Sequence, residues 1–121
     1  MEYEIRPSRA GDYEAITGEP IPFRSTALTA LVNGEIVGMG GVAHLPNGAF
    51  GAFAEITDRA RQYPVLMHRA GLQAMERARR LGYRRLVALR GAGIERAEAW
   101  LLRLGFEREL IEDVEVWIWR K

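Results

Sequence analysis

The chain contains no cysteine among its 121 residues. That absence excludes thiolate nucleophiles, cysteine-ligated zinc, iron–sulfur clusters and disulfide scaffolds. Histidine is scarce: His44 and His68 stand apart, with no carboxylate cluster beside either, so no metal-ligating pattern is present. No apolar run reaches the roughly 18 residues of a membrane span. The opening Met1-Glu2-Tyr3-Glu4 is not that of a secretory signal, and a cytoplasmic location is expected. Charge of one sign is also missing, since 17 basic residues face 16 acidic ones. A general nucleic-acid binder would carry a clearer basic excess. The group Arg77, Arg79, Arg80, Arg84 and Arg85 is a local exception, but helical spacing spreads its first three members around a helix. Nucleic acid is therefore not an expected partner. No Ser-His-Asp set and no phosphate-binding loop is visible, and Gly38-Met39-Gly40-Gly41 sits inside a strand pattern rather than opening a helix.

What remains is an ordinary globular composition, 48% hydrophobic and 27% charged, expected to form a single domain over residues 1–121. Tyr3 to Pro7 reads as a first strand, and Asp12 as the cap of a short helix through Ile16. Ser25 to Val32 and Glu35 to Ala43 read as strands joined by Asn33-Gly34, the strongest short hairpin signal. A turn at Pro46-Asn47-Gly48 leads to a third strand, Ala49 to Ile56, with Phe50, Ala52, Ala54 and Ile56 on one face and Phe53 and Glu55 on the other. Pro64 fits the first position of a long helix whose apolar stripe is Met67, Ala70, Gly71, Ala74, Ala78 and Leu81, ended by Gly82. Arg84 to Leu89 reads as a buried strand and Gly91-Ala92-Gly93 as a loop. Ile94, Ala97, Leu101 and Leu104 mark a second helix closed by Gly105, and Glu109 to Trp119 a last strand. The pattern β-α-β-β-β-α-β-α-β predicts a mixed α/β fold. An antiparallel meander is followed by a helical crossover, with helices on both faces of the sheet.

This order resembles that of the GNAT superfamily of acyl-CoA-dependent N-acyltransferases. The segment Ile5-Arg6-Pro7-Ser8-Arg9-Ala10-Gly11-Asp12 is similar to the family's opening, and Gly34-Glu35-Ile36-Val37-Gly38 to its "G-x-x-V-G" hairpin. The segment from Ala97 to Gly105-Phe106 is similar to its closing "A-x-x-x-Y-x-x-x-G-F" helix. The resemblance implies that acetyl-CoA binds between two splayed parallel strands, with its pyrophosphate on backbone N–H groups at the start of the main helix. The segment Gln62-Tyr63-Pro64-Val65-Leu66-Met67 aligns with the family's "Q/R-x-x-G-x-G/A", with Val65 and Met67 in place of the small residues. Implied cofactor contacts are Ile56 and Thr57 at the thioester and Gln62, Tyr63, Val65 and Arg61 near the phosphates, with Arg59 and Arg90 as further cations.

Glu55, at the end of the central strand, is the candidate general base for an attacking amine. His44 could face the substrate cleft, and His68 reads as a surface helix residue. Leu101 occupies the position where the family often carries a tyrosine acid, and no tyrosine occurs from Arg84 to Lys121. Two functions follow from the resemblance. One is an N-acetyltransferase acting on an amine acceptor. The other is a GNAT-like domain that has lost catalysis and serves as a binding or structural part, similar to compact phage and prophage proteins, which would imply a virion-associated role. Trp117 and Trp119 alternate with Val116 and Ile118, making both faces of the last strand apolar, so a homodimer through that strand is a further expectation.

Overall fold

Short-period alternation and tight turns draw most of this chain into one twisted sheet. The structure, a computed structural model, describes residues 1–89 and 98–121. The elements are β1 (Tyr3–Pro7), α1 (Asp12–Thr17), β2 (Arg24–Val32), β3 (Glu35–His44), β4 (Phe50–Ile56), a 3₁₀ turn (Asp58–Gln62), α2 (Pro64–Arg80), β5 (Arg85–Ala88), α3 (Glu98–Arg103), β6 (Glu107–Ile111) and β7 (Val114–Arg120). The seven strands lie in the order β1-β2-β3-β4-β5-β7-β6. All neighbours are antiparallel except β4 and β5. The meander, the helical crossover and the helices on both faces are thus present. Arg90, the glycine loop at 91–93, and Ile94 and Ala97 of the second helix lie outside the described residues. Among the described residues, no helix is long and apolar enough to cross a membrane.

Asn33 and Gly34 both take positive φ, 50° and 79°, which matches the right-handed twist of β2 and β3 at their turn. The β2–β3 register shifts between Ala30 and Leu31, so Val37 is an extra residue. The bulge turns Val37 into a cluster with Ala30, Val32, Ala60 and Leu66. Both α2 and α3 close in the same way. Gly82 and Gly105 adopt left-handed φ, while Tyr83 N–H donates to Ala78 O and Phe106 N–H to Leu101 O. Helix α1 covers one face of the sheet, packing Tyr13 and Ile16 with Ala27, Met39, Ala43 and Phe53. Helices α2 and α3 cover the other, where Met75, Ala78 and Leu101 meet Val42, Leu86, Phe106, Trp117 and Trp119.

Three local expectations are corrected. Leu81 is not part of the buried stripe: α2 ends at Arg80, and Leu81 is 56% exposed at the C-cap, while Leu66 and Met75 are buried instead. The last strand is two strands, because Glu112 and Asp113 both take positive φ and reverse the chain between β6 and β7. Trp117 and Trp119 are buried beneath α2 and α3, and β7 is an interior strand between β5 and β6. Asp12 does not cap α1, whose N-cap is Gly11 and has no side-chain hydrogen bond.

Asp12 instead points back under the β1–α1 connection and is 5% exposed. Its carboxylate accepts from Arg6 Nη1 at 2.7 Å, from the Arg9 N–H at 2.8 Å and from the Thr29 hydroxyl at 2.8 Å. Ser8 Oγ lies 2.8 Å from Thr29 Oγ1, which extends the chain of bonds. Burial alone would raise the Asp12 pKa. The Arg6 pair and the Arg9 and Thr29 donors outweigh it and bring the value down to about 2. At the far end of the sheet, Tyr83 forms a second polar tie. Its hydroxyl lies 2.7 Å from His44 Nε2 and 3.0 Å from Thr26 Oγ1, and its ring packs edge-on against Phe50 at 4.9 Å. It joins β2, β3 and β4 to the turn after α2.

Two outcomes follow from these networks. The folded-state pKa of Asp12 lies below its unfolded value. Its contribution of about 2 kcal/mol is therefore complete above about pH 4 and is lost as pH falls toward 2. Urea unfolding between pH 7 and pH 2.5 should show that loss, and Asp12→Ala, which strands Arg6, should cost about 3 kcal/mol at pH 7 and abolish this acid-sensitive component. Tyr83→Phe keeps the ring and removes both hydroxyl contacts, so it should lower stability by about 1 kcal/mol in the same assay.

Candidate functional site

Chain direction dictates which edge of β4 is open. The parallel pairing with β5 consists of Gly51 with Val87 and Ala52 with Ala88, and Leu89 N–H then donates to Ala52 O at 2.8 Å. Along a strand the N–H and C=O of alternate residues point to opposite edges. Ala52 faces β5, so Ala54 and Ile56 present their backbone groups to that side. Phe53, Glu55 and Thr57 face β3, as the Thr57 N–H bond to Val37 O at 3.0 Å shows. Beyond Ala52, β4 therefore has a free edge toward β5, with no strand partner among the described residues. Gly51 sits at the apex of this wedge. A Cβ there would lie 2.7 Å from Leu89 Cγ, so only glycine lets Leu89 seat where the two strands part.

Under the wedge, on the α2 side of the sheet, lies a cavity of about 80 Å³. Its walls are apolar and include Ala54 and Ile56 of β4, Gly40 of β3, Met67 and Gly71 of α2, and Trp100 of α3. The Trp100 indole nitrogen, Nε1, is buried and has no hydrogen-bond partner among the described residues. At one end of this space α2 begins. Pro64 takes the first helical position, no side chain caps the helix, and no acidic residue occupies its first turn. The first helical bond is Met67 N–H to Tyr63 O. The N–H groups of Val65 and Leu66 thus lack a helical acceptor and carry the positive end of the helix dipole. The Val65 side chain is 71% exposed.

The residues expected to hold an acyl-CoA divide into two groups. Ile56 lies on the free edge with its backbone open, and Val65 offers an open N–H. Thr57 and Tyr63 have committed theirs, Thr57 to Val37 O and Tyr63 to Ala60 O at 2.9 Å. Arg61 and Gln62 are exposed in the 3₁₀ turn just before α2. Arg59 is ion-paired with Glu35 and lies over the Tyr63 ring at 6.0 Å. Met67, in a position where the family has a small residue, turns its sulfur toward Gly38 and lines the cavity.

Glu55 is half-buried on the opposite, α1 side of β4, paired across the strands with Met39. Its neighbour there is Tyr13, a residue that sequence pattern did not single out. Burial, followed by the charges of Glu55 and Glu19, pushes the Tyr13 hydroxyl above its usual pKa. Tyr13, Phe23 and Phe53 form an aromatic wall, with Phe23 and Phe53 ring centres 4.8 Å apart. His44 is not in this cleft: it pairs with Phe50 at the other end of β4 and is bonded to Tyr83. His68 is half-buried rather than fully on the surface, and its Nδ1 is sequestered without a partner among the described residues. Leu101 is buried among Met75, Phe106 and Trp119, so that position supplies no proton donor.

No protein-family model matches this sequence, and no curated protein matches it. Solved structures do. An acetyltransferase of the GNAT family from Staphylococcus aureus Mu50 superposes with a TM-score of 0.71 at 11% identity, over 98% of this chain and 99% of that one. The GNAT-superfamily phosphinothricin acetyltransferase of Sinorhizobium meliloti, in complex with AcCoA, gives 0.68 at 16% identity over 98% and 86%. N-acetylglutamate synthase from Neisseria gonorrhoeae, complexed with coenzyme A and N-acetyl-glutamate, gives 0.66 at 14% identity, over 99% of this chain and 35% of that one. With its splayed parallel pair, its meander and its crossover helix, this chain has the fold of the GNAT-family acetyltransferases.

Proposed function

We propose that this protein is an acyl-CoA-dependent N-acyltransferase that takes acetyl-CoA as donor and an amine as acceptor. The observation that carries the reading is the wedge itself, where a β4 edge without a strand partner among the described residues stands over an apolar cavity, with helix N–H groups that lack helical acceptors at one end. The parts fit such a donor. Val65 and Leu66 N–H groups suit a pyrophosphate, with Arg61 close by in sequence as a cation. The Ala54 and Ile56 backbone suits amide and thioester groups, and the cavity suits the aliphatic links between them. The bound donor would supply an acyl group already activated as a thioester.

The chain's own residues do the remaining work. Phe53 and Glu55 project to one side of β4 and Ala54 and Ile56 to the other, so an acceptor on the α1 side would reach a donor on the α2 side across one strand edge. Glu55 takes the proton from the acceptor's ammonium, directly or through water, leaving the free amine to attack. Tyr13, Phe23 and Phe53 exclude water from that side and hold the acceptor's apolar part. Leu101 donates no proton, so the sulfur departs as thiolate, and the proton that the attacking nitrogen sheds on forming the amide passes to it through solvent. A thiol with a pKa of about 8.5 is a good enough leaving group for this. The rate then depends on proximity more than on acid assistance.

A second reading, a donor-binding domain without turnover, is favoured by the buried Leu101 alone. Calorimetric titration with acetyl-CoA and with free CoA should give micromolar dissociation constants, about −8 kcal/mol. No heat at millimolar ligand would reject the acyl-CoA site. Thiol release from acetyl-CoA in the presence of a panel of primary amines should be detected with wild type. Glu55→Gln should reduce it about 100-fold while leaving acetyl-CoA affinity unchanged. Donor binding with no thiol release for any amine would support the second reading.

A further inference from the structure

The cavity beneath the wedge extends well past it. It reaches the free β4 edge at Ala54 and Ile56, and Ile56 is 53% exposed. From there it runs under β4 to Gly40 of β3 and Ala30 of β2, on the far side of β4 from β5. Gly40 pairs with Ala54 across the strands. A Cβ on Gly40 would stand 3.5 Å from the Ala54 Cβ but 2.9 Å from Phe53 O, so glycine keeps this floor low. Ala70 and Ala74 of α2, one turn apart, form the roof. Ala54, Ala70 and Ala74 are half-buried rather than buried, although they lie between the sheet and the helix that covers it. At the β2 end stands Met67, which shares a cluster with Ala30 and brings its sulfur to 3.1 Å from where a Gly38 Cβ would be. An apolar space of this kind forfeits packing in proportion to its volume, and water does not settle in it without polar partners. Its 80 Å³ matches about three methylene-sized groups, at the ~30 Å³ that one water occupies in the liquid. The links of the donor arm follow the β4 edge and do not use the part that lies under β3 and β2.

We propose that this recess under β4 and β3 takes the acyl chain of the donor, and that the preferred donor is a saturated acyl-CoA of four to six carbons rather than acetyl-CoA. The inference rests on the acyl-CoA reading above. With the thioester carbonyl at the Ala54 and Ile56 backbone, a chain continuing from it under β4 meets apolar walls. The acceptor approaches from the α1 side, so a chain directed to the α2 side does not obstruct the attack. The transfer is the same for every chain length. The amine nitrogen bonds to the carbonyl carbon, the C–S bond breaks, and the sulfur leaves with the electron pair as thiolate. The proton shed by nitrogen reaches that thiolate through solvent. An acetyl group leaves most of the recess unfilled, whereas about three further carbons match its volume. Met67 stands where a longer chain would arrive, so its flexible thioether sets the length limit.

Calorimetric titration of wild type with acetyl-, butyryl-, hexanoyl- and decanoyl-CoA tests this without any variant. The dissociation constant should fall about fourfold per added methylene from acetyl to butyryl and gain nothing beyond hexanoyl. Equal affinity for acetyl- and hexanoyl-CoA overturns the proposal. So does a gain that continues undiminished to decanoyl-CoA, because a recess of this volume does not hold that chain. Ala74→Leu adds three carbons to the roof and fills the recess from the α2 side. It should bring the hexanoyl-to-acetyl affinity ratio down to about one, and a folded variant that keeps the wild-type ratio overturns the proposal. Met67→Ala opens the far end instead. It should raise the best chain length by about two carbons, and a best length that stays the same overturns the assignment of Met67 as the limit. Wild type that binds neither free CoA nor any member of the series rejects the acyl-CoA reading and this inference with it. Acyl-CoA binding that is indifferent to chain length rejects only the inference.

Discussion

The parallel contact between β4 and β5 is two residue pairs long, and much of the molecule is organised around that brevity. It joins the β1–β4 meander to the β5-β7-β6 portion of the sheet. A seam of this length supplies few hydrogen bonds, each worth about 1 kcal/mol net. The two portions are held in place mainly by the layer above them. Met75 and Ala78 of α2 and Leu101 of α3 pack at once on Val42 of the meander and on Leu86, Trp117 and Trp119 beyond the seam. The angle of the wedge is thus fixed by apolar packing, and among the described residues the β4 backbone beyond Ala52 has no strand partner on that side.

A strand with one free edge serves two compartments. Side-chain alternation gives the α2 side Ala54 and Ile56 and the α1 side Phe53 and Glu55. One side is apolar, the other aromatic and acidic, and both open on the same edge. Helix α1 forms part of the second side through Tyr13, so its position matters to it. The buried Asp12 carboxylate fixes that position by tying the β1 end, the chain before α1 and Thr29 of β2 to one charge. A buried ion pair is a costly way to hold a helix unless every partner is present, and here Arg6, Arg9 and Thr29 are all in place.

Sequence pattern located most of the elements because their signals are local. Asn33-Gly34 dictates its turn, Pro64 and Gly82 bracket α2, and the alternation through Phe50–Ile56 assigns each side chain its face. The failures are equally specific. The β6–β7 turn was unreadable because Glu112 and Asp113 adopt positive φ without a glycine to announce it. Leu81 continued the helical apolar pattern one residue past the point where backbone geometry ended the helix. Near the wedge, the faces that Glu55 and Ile56 take on β4 were legible from strand alternation. The loss of the Thr57 and Tyr63 donors was not, since each depends on a carbonyl brought in by the bulge or the 3₁₀ turn.

The order of the strands leaves β6 at one margin of the sheet. A margin of this kind is a template for pairing with other chains. Leu110 and Ile111 near its tip, and Val114 across the turn, are exposed and would favour such growth. Glu107, Arg108 and Glu109 precede them on the same strand, and Arg108 and Glu109 are held by Glu115 and Arg120 of β7. Any strand laid along this margin would have to cover those charges, so β6 carries its own gatekeepers against extension of the sheet.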